Sequence, residues 1–251
     1  MHPRRLDADR GASAERPENT IPAFQRAVDL GCHALEMDVH LTRDGQLIVA
    51  HDDDAARTCG VGVAWSAMDL VDAQRLDAGW GFLAPDGTRP FAGKDIHPPL
   101  FSEVLATYRD VHINVDIKGE RSVDVMLDLL REHDAETRVT IASFQTKTLV
   151  DVRRKKFRGE TGLAMGEVIA LVALPGIAWR ALPWTGNAAQ LPTHQGPLRF
   201  DRTPFIAKCH SVGLRVDYWV IDDASEAARL LELGADGIMT NDPSALVALF
   251  A

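Results

Sequence analysis

The sequence predicts an α/β protein: a (β/α)₈ TIM barrel forming a single domain over residues 1–251, with a small insertion after the second strand. Three observations predict it. Short apolar runs alternate with helical patterns, the signature of a parallel sheet with crossover helices. The chain has 251 residues, 46% hydrophobic and 25% charged, enough for one barrel of about 250 residues. A stretch rich in proline and glycine, residues 52–98, interrupts the alternation once, as a loop over a barrel mouth would.

The strand candidates, in order, are Leu6–Asp9, Ala34–Val39, Val111–Ile117, Val139–Ala142, Gly162–Ala164, Ala188–Leu191, Leu214–Trp219 and Gly237–Thr240. Helical patterns fall at Ile21–Leu30, Ser102–Tyr108, Val123–His133, Thr146–Arg154, Thr203–Ser211 and Ser225–Leu233. In the last of these Ala227, Leu230 and Leu231 share a stripe suited to packing on a sheet. Gly31, Gly213 and Gly234 follow three of the helices, where a left-handed residue ends the turn. Gln46–Ala50 is too close to the second strand to be its parallel partner, which needs a crossover of roughly a dozen residues. Asp44-Gly45 between two β-like runs instead signals a hairpin. A two-residue turn there sets His51 across from Asp38.

The formal net charge of −9 argues against nucleic acid as a partner, though a bound metal could still attract an anionic substrate. The three cysteines, widely spaced, fit a reducing compartment without disulfides. No apolar segment follows the basic N-terminus, so no signal peptide is expected and the location expected is cytoplasmic. The most apolar stretch, residues 168–179, falls short of the roughly 20 residues of a membrane span. It is expected to be a buried helix or a barrel-rim segment, with peripheral lipid contact as the alternative.

Barrel active sites gather at the C-terminal strand ends. Period-two alternation puts Glu36 and Asp38 on one face of the second strand, and Asn114, Asp116 and Lys118 on one face of the third. Three carboxylates at one mouth would repel unless a cation intervened, and oxygen ligands suit Mg²⁺ or Ca²⁺. A metal, a lysine and a histidine together suit phosphoryl chemistry: cations hold anionic oxygens while His51 moves protons. Singly, each feature is ordinary. Glu-x-Asp is commonly a half-exposed polar face, Asp116 and Lys118 an ion pair, and His51-Asp52 a turn. Their joint placement carries the signal.

Arg10-Gly11-Ala12-Ser13, Pro17-Glu18-Asn19-Thr20 and Ala23-Phe24 resemble the N-terminal signature of glycerophosphodiester phosphodiesterases. Leu35-Glu36-Met37-Asp38-Val39, Thr42-Arg43-Asp44-Gly45, Val49-Ala50-His51-Asp52 and Arg57-Thr58 resemble that family's second block, and Asn114–Lys118 its third. Ser143-Phe144, His210–Trp219 and Gly234–Pro243 are similar to its C-terminal blocks. The resemblance runs over residues 6–247, with little family pattern in 155–187. It implies a TIM barrel enzyme, a phosphoric diester hydrolase. Glu36, Asp38 and Asp116 would bind the divalent metal, Arg10 and Lys118 would contact the phosphate, His51 would be one of two acid/base histidines, and Trp219 would line the mouth. The implied reaction converts a glycerophosphodiester to glycerol 3-phosphate and an alcohol, with a glycerol hydroxyl attacking phosphorus first.

Two departures matter. Asp116 stands where the family usually has glutamate, which keeps the charge. Asp9 stands where the family has its other catalytic histidine, and loss of an acid/base group costs about 10²–10⁴-fold in rate. Asp9 could accept a proton, or become a fourth metal ligand. The expectation is therefore a metal-dependent phosphodiesterase slowed by Asp9. The alternatives are a catalytically impaired phosphodiester- or lysolipid-binding homologue and a lysophospholipase D-type enzyme. Glu18 and Asn19 are expected to make local loop and helix-start hydrogen bonds, their nearness to the site being implied only by the resemblance, and His210 to serve packing or the surface.

Overall fold

The computed structural model describes residues 2–174 and 178–251. Its elements follow in order: β1 (Arg5–Ala8), α1 (Ile21–Asp29), β2 (Ala34–Leu41), β3 (Leu47–Val49), α2 (Ala56–Cys59), α3 (Leu70–Ala73), α4 (Phe101–Thr107), β4 (His112–Ile117), α5 (Val123–Glu132), β5 (Val139–Ala142), α6 (Thr146–Arg154), β6 (Glu160–Thr161), α7 (Met165–Ala173), β7 (Ala188–Leu191), β8 (His194–Gln195), β9 (Leu198–Arg199), α8 (Thr203–His210), β10 (Arg215–Tyr218), α9 (Ala224–Leu233), β11 (Gly237–Thr240) and α10 (Pro243–Leu246).

Parallel strands run in the order β6-β5-β4-β2-β1-β11-β10-β7. A parallel bridge between Gly162 and Ala188 joins the two ends of that order and closes the barrel. The (β/α)₈ expectation holds. Outward-facing Leu6, Ala8, Leu35, Met37, Val39, Ile113, Val115 and Ile117 are fully buried under the helices. The helices answer with amphipathic stripes, such as Ala23, Phe24 and Ala27 on α1 and Ala227, Leu230 and Leu231 on α9. Burying one such leucine or phenylalanine contributes about 1.5–3 kcal/mol. Helix α9 is bounded as its sequence suggests: the Asp223 carboxylate accepts the Glu226 N–H at 2.8 Å, and Gly234 follows at φ 107°.

Residues 52–98 form short helical turns with a small core of their own, in which Ala55, Cys59, Trp65, Met68, Ala73 and Ala78 pack on Ile48 and Ala50 of the hairpin. All three cysteines are free and buried, and burial pushes the Cys32 and Cys209 thiols up to about 12 and Cys59 to about 11. Such thiols are unreactive. Among the described residues no helix is long and apolar enough to cross a membrane.

Several expectations need correction. The fifth barrel strand, β6, lies at Glu160–Thr161, earlier than Gly162–Ala164. Its polar first residue faces the barrel interior and masks it as a strand. The hairpin register is one residue off: Val39 pairs with Val49 and His40 with Ile48, and the Ala50 N–H reaches Asp38 O at 3.0 Å. Ala50, not His51, therefore faces Asp38. Thr42 N bonds Gln46 O at 2.8 Å, so the loop has three residues, with Gly45 at φ 81° supplying the left-handed residue that three-residue hairpins require. Of the readings of the apolar stretch, the buried helix fails. On α7 only Leu171 is buried, while Met165 and Ile169 are 47% and 60% exposed. Its residues 175–177 lie outside the described residues.

Candidate active site

The C-terminal ends of β1, β2 and β4 build one acidic mouth. Parallel register places Glu36 beside Asn114 and Asp38 beside Asp116, and Asp9 continues β1, its N–H bonded to Thr240 O at 2.8 Å. Asp9, Asp38 and Asp116 are buried, and Glu36 is half-buried. Lys118 Nζ stands between Asp38 Oδ1 and Asp116 Oδ2, 2.7 Å from each. Burial works against its ammonium, but the two carboxylates outweigh that and hold its pKa above the usual lysine range.

The turn after β1 is strained in a way that serves the site. Arg10 and Gly11 both take the left-handed conformation, at φ 56° and 79°, and Asn19 does so at 55°. A non-glycine residue in that region is uncommon and marks an imposed constraint. The constraint aims the Arg10 N–H at Glu36 Oε2, 3.0 Å away. It also brings the guanidinium to Glu18 Oε1 at 3.1 Å and to within 3.6 Å of Asp38 Oδ2. A Cβ on Gly11 would stand 2.6 Å from the Ala23 carbonyl carbon, so only glycine lets this turn lie against the start of α1.

Carboxylates outnumber cations here, and their proton affinities respond. Burial, aided by Asp38, Glu18 and Asp222, pushes the Asp9 carboxyl up to about 6 against the opposing pull of Arg10. Burial and the neighbouring Asp38 and Asp9 raise Glu36 well above the usual carboxylate range. Burial also raises Asp116, although Lys118 opposes it. Asp116 Oδ1 and Arg10 Nε are buried without hydrogen-bond partners. Oxygen donors of this kind, concentrated and under-neutralised, fit a hard divalent cation in type, charge and burial. With the side chains as they lie, no three His, Cys, Asp or Glu among the described residues already converge as a ligand set, and Lys118 occupies the gap between two of the carboxylates.

His51 reaches the mouth although its expected pairing fails. Its Nδ1 stands 2.8 Å from Asp52 Oδ1. Its carbonyl accepts from the His40 ring Nε2 at 3.1 Å. His51 lines a small pocket together with Glu18 and Asn19. Trp219 follows β10 at the rim, partly exposed, its ring edge-on to the 64%-exposed Phe144 after β5 with centroids 6.0 Å apart.

Glu18 and Asn19 are not merely local. Asn19 Nδ2 donates to Asp38 Oδ2 at 3.1 Å, and Glu18 bridges Arg10 and Arg57. The nearby Glu-Asn-Thr order looked like a helix start, and nothing in it announced a reach of that length. Asp222 was also missed: it accepts from Thr240 Oγ1 and from Asn241 N and Nδ2 at 2.8–2.9 Å. Asn241 Oδ1 in turn accepts from Ser13 Oγ, which also donates to Asp9 O. His210 lies at the far end of the barrel, Nε2 at 2.7 Å from Asp236.

Comparison with known proteins agrees with this architecture. The model of the glycerophosphoryl diester phosphodiesterase family matches residues 10–245. A glycerophosphodiester phosphodiesterase from Caldanaerobacter subterraneus is 32% identical over 250 residues, covering 96% of each chain. A lysophospholipase D from Mus musculus is 27% identical, over 94% of this chain and 83% of that one. Among solved structures, the glycerophosphoryl diester phosphodiesterase domain of a Mycobacterium tuberculosis protein shares the fold at TM-score 0.87 and 16% identity, over 99% of this chain and 100% of that one. A phosphodiesterase from Oleispira antarctica, solved with sn-glycerol-3-phosphate as product, has TM-score 0.79 and 20% identity over 98% of this chain and 96% of that one. With an acidic mouth, a lysine and arginine inside it and a family match running nearly end to end, this chain belongs to the glycerophosphoryl diester phosphodiesterase family of TIM-barrel phosphoric diester hydrolases.

Proposed function

We propose that the chain hydrolyses glycerophosphodiesters to glycerol 3-phosphate and an alcohol with the help of a divalent metal, Mg²⁺ or Ca²⁺, and that Asp9 slows it. The observation that carries the reading is the meeting of Lys118 with Asp38 and Asp116 beside Arg10: fixed cations next to buried carboxylates, with Asp116 Oδ1 left without a partner. Glu36, Asp38 and Asp116 would hold the metal, which would neutralise charge developing on the phosphoryl oxygens. Arg10 and Lys118 bind and orient the same phosphate. An arginine fork and a lysine point charge together fix its position before reaction. His51, its Nδ1 engaged by Asp52, keeps Nε2 for moving the proton of an attacking hydroxyl. Asp9 occupies the place of the second proton carrier and serves it less well.

The test is release of glycerol 3-phosphate from glycerophosphocholine by purified protein with Mg²⁺ or Ca²⁺, abolished by EDTA and restored by metal. No turnover with any divalent metal would leave the impaired, binding-only homologue as the reading.

A second reading has an observation behind it. Phe144 and Trp219 pair edge-on, 6.0 Å apart, just past the C-terminal ends of β5 and β10, with Phe144 64% exposed, where the acyl chain of a lysophospholipid could lie. A higher kcat/KM for lysophosphatidylcholine than for glycerophosphocholine would select it, and the reverse order would dismiss it.

A further inference from the structure

An unbroken line of charged side chains crosses the mouth from the phosphate-binding arginine to the proton-moving histidine. Arg10 Nη1 donates to Glu18 Oε1 at 3.1 Å, and Arg57 Nη2 donates to the same oxygen at 2.8 Å. Arg57 Nε then donates to Asp52 Oδ2 at 2.6 Å, and Asp52 Oδ1 meets His51 Nδ1 at 2.8 Å. Arg57 sits on α2 within the insertion, whereas Arg10 and Glu18 belong to the loop between β1 and α1. The insertion therefore touches the catalytic mouth through this guanidinium.

We propose that Arg57 is a positioning residue: by clamping Asp52 against Glu18 it fixes the tautomer and direction of the His51 imidazole, and so aligns the proton carrier with the phosphate held by Arg10. The rate consequences of the proposal rest on the phosphodiesterase reading above. The imidazole consequence does not.

The geometry leaves Asp52 little freedom. One carboxylate oxygen is taken by Arg57, so the other faces His51 and stays there. Burial alone would raise the Asp52 carboxyl, but Arg57 and His51 hold it below the usual range. An ionised Asp52 can only accept, so the proton of a neutral His51 sits on Nδ1 and Nε2 is left bare. Fixing the tautomer of an imidazole through its second nitrogen is a general way of tuning one that must work with the first. Arg57 is suited to the task, since its planar fork can hold two carboxylates at once where a lysine presents a single point. Simple docking of the insertion does not need it. The insertion is pinned elsewhere by Arg43 of the hairpin loop, which holds Asp69 with two bonds of 2.8 and 2.6 Å, and by the Ala55–Ala78 core.

The test compares R57A, R57K and R43A with the parent, each confirmed folded by its thermal transition. The readouts are steady-state kinetics with glycerophosphocholine and the ¹⁵N resonances of His51 in histidine-labelled protein. The clamp predicts a kcat about 10–100-fold lower in R57A, the scale of roughly 1 Å of misplacement, with KM within about twofold. The His51 nitrogens should leave the Nδ1-protonated pattern, R57K should recover only part of the loss, and R43A should match the parent. Unchanged His51 resonances in R57A, or an equal loss of kcat in R43A, would overturn it. If R57A does not fold, R57K decides by the same resonances. If the parent itself turns over no phosphodiester, the functional reading falls, and the imidazole spectra still decide the clamp.

Discussion

The two ends of the barrel interior carry the same residue types and treat them in opposite ways. At the N-terminal end the charges are matched. Arg5 grips Asp7 with bonds of 2.9 and 3.0 Å. Arg215 holds Asp217 at 2.9 Å and Glu160 at 2.8 Å. Thr140 donates to Glu160 at 3.0 Å, and His112 Nε2 meets Thr140 Oγ1 at 2.8 Å. Of this belt only Arg215 Nη2 lacks a partner. At the C-terminal end Asp9, Glu36, Asp38 and Asp116 face Arg10 and Lys118, and three of the four carboxyls have raised pKa values, whereas in the belt burial raises Asp217 and Arg215 holds Glu160 down. Matched charge holds a barrel together, while unmatched charge stores an affinity for something the chain does not itself supply.

The comparison can be broken from either end. The largest effect is expected at the mouth. Glu36→Gln should cut kcat/KM about 10³-fold, as loss of several kcal/mol of metal-derived stabilisation implies. In metal-free buffer its melting temperature should hold or rise, because one repelling charge is gone; a clear drop by calorimetry would mean that Glu36 is structural. Arg215→Met should do the reverse. Stranding Asp217 and Glu160 costs about 3–5 kcal/mol, visible in urea titrations, while activity per folded molecule is retained. Asp9→His should raise kcat about 100-fold by restoring a proton carrier; a flat response would put the deficit elsewhere in the mouth.

The smallest effect is one of pH. Burial, with Arg5 adding to it, presses the His112 imidazole down to about 4 from 6.5. The unfolded chain takes up a proton near 6.5 while the folded chain refuses it until about 4. Stability is thus complete above 6.5 and is lost as pH falls through that window, by about 3 kcal/mol. His112→Gln should flatten the corresponding slope of denaturation midpoint against pH.

Much of this was legible because two periodicities are local. Alternation alone put Glu36 with Asp38 and Asn114 with Asp116, and strand-end placement put them at the mouth. Hydrophobic stripes placed most helices to within a residue or two. What failed was set by distant partners. The hairpin register hung on whether Thr42 would close a two- or a three-residue loop. The strand at Glu160–Thr161 is two residues long and hides behind an inward glutamate that only Arg215 explains. Asn19 looked like a helix start because the neighbour it serves, Asp38, is a whole element away. The matched belt at the barrel floor could not be seen either, since each of its pairs joins residues whose nearness exists only after closure.

The turn at Arg10-Gly11 bears on which positions of the mouth are free to vary. Asp9 is buried in the mouth, but the bonds that hold it in place are those of its backbone, its N–H to Thr240 O and its carbonyl accepting from Ser13 Oγ, so another polar side chain of similar size can stand there and the turn will not notice. Gly11 has no such latitude, because any methyl group would push the loop off α1 and swing the Arg10 amide away from Glu36. Changes of chemistry at this corner are thus tolerable one residue before the bend and ruinous one residue after Arg10, and a directed library should randomise the first position and leave the second alone.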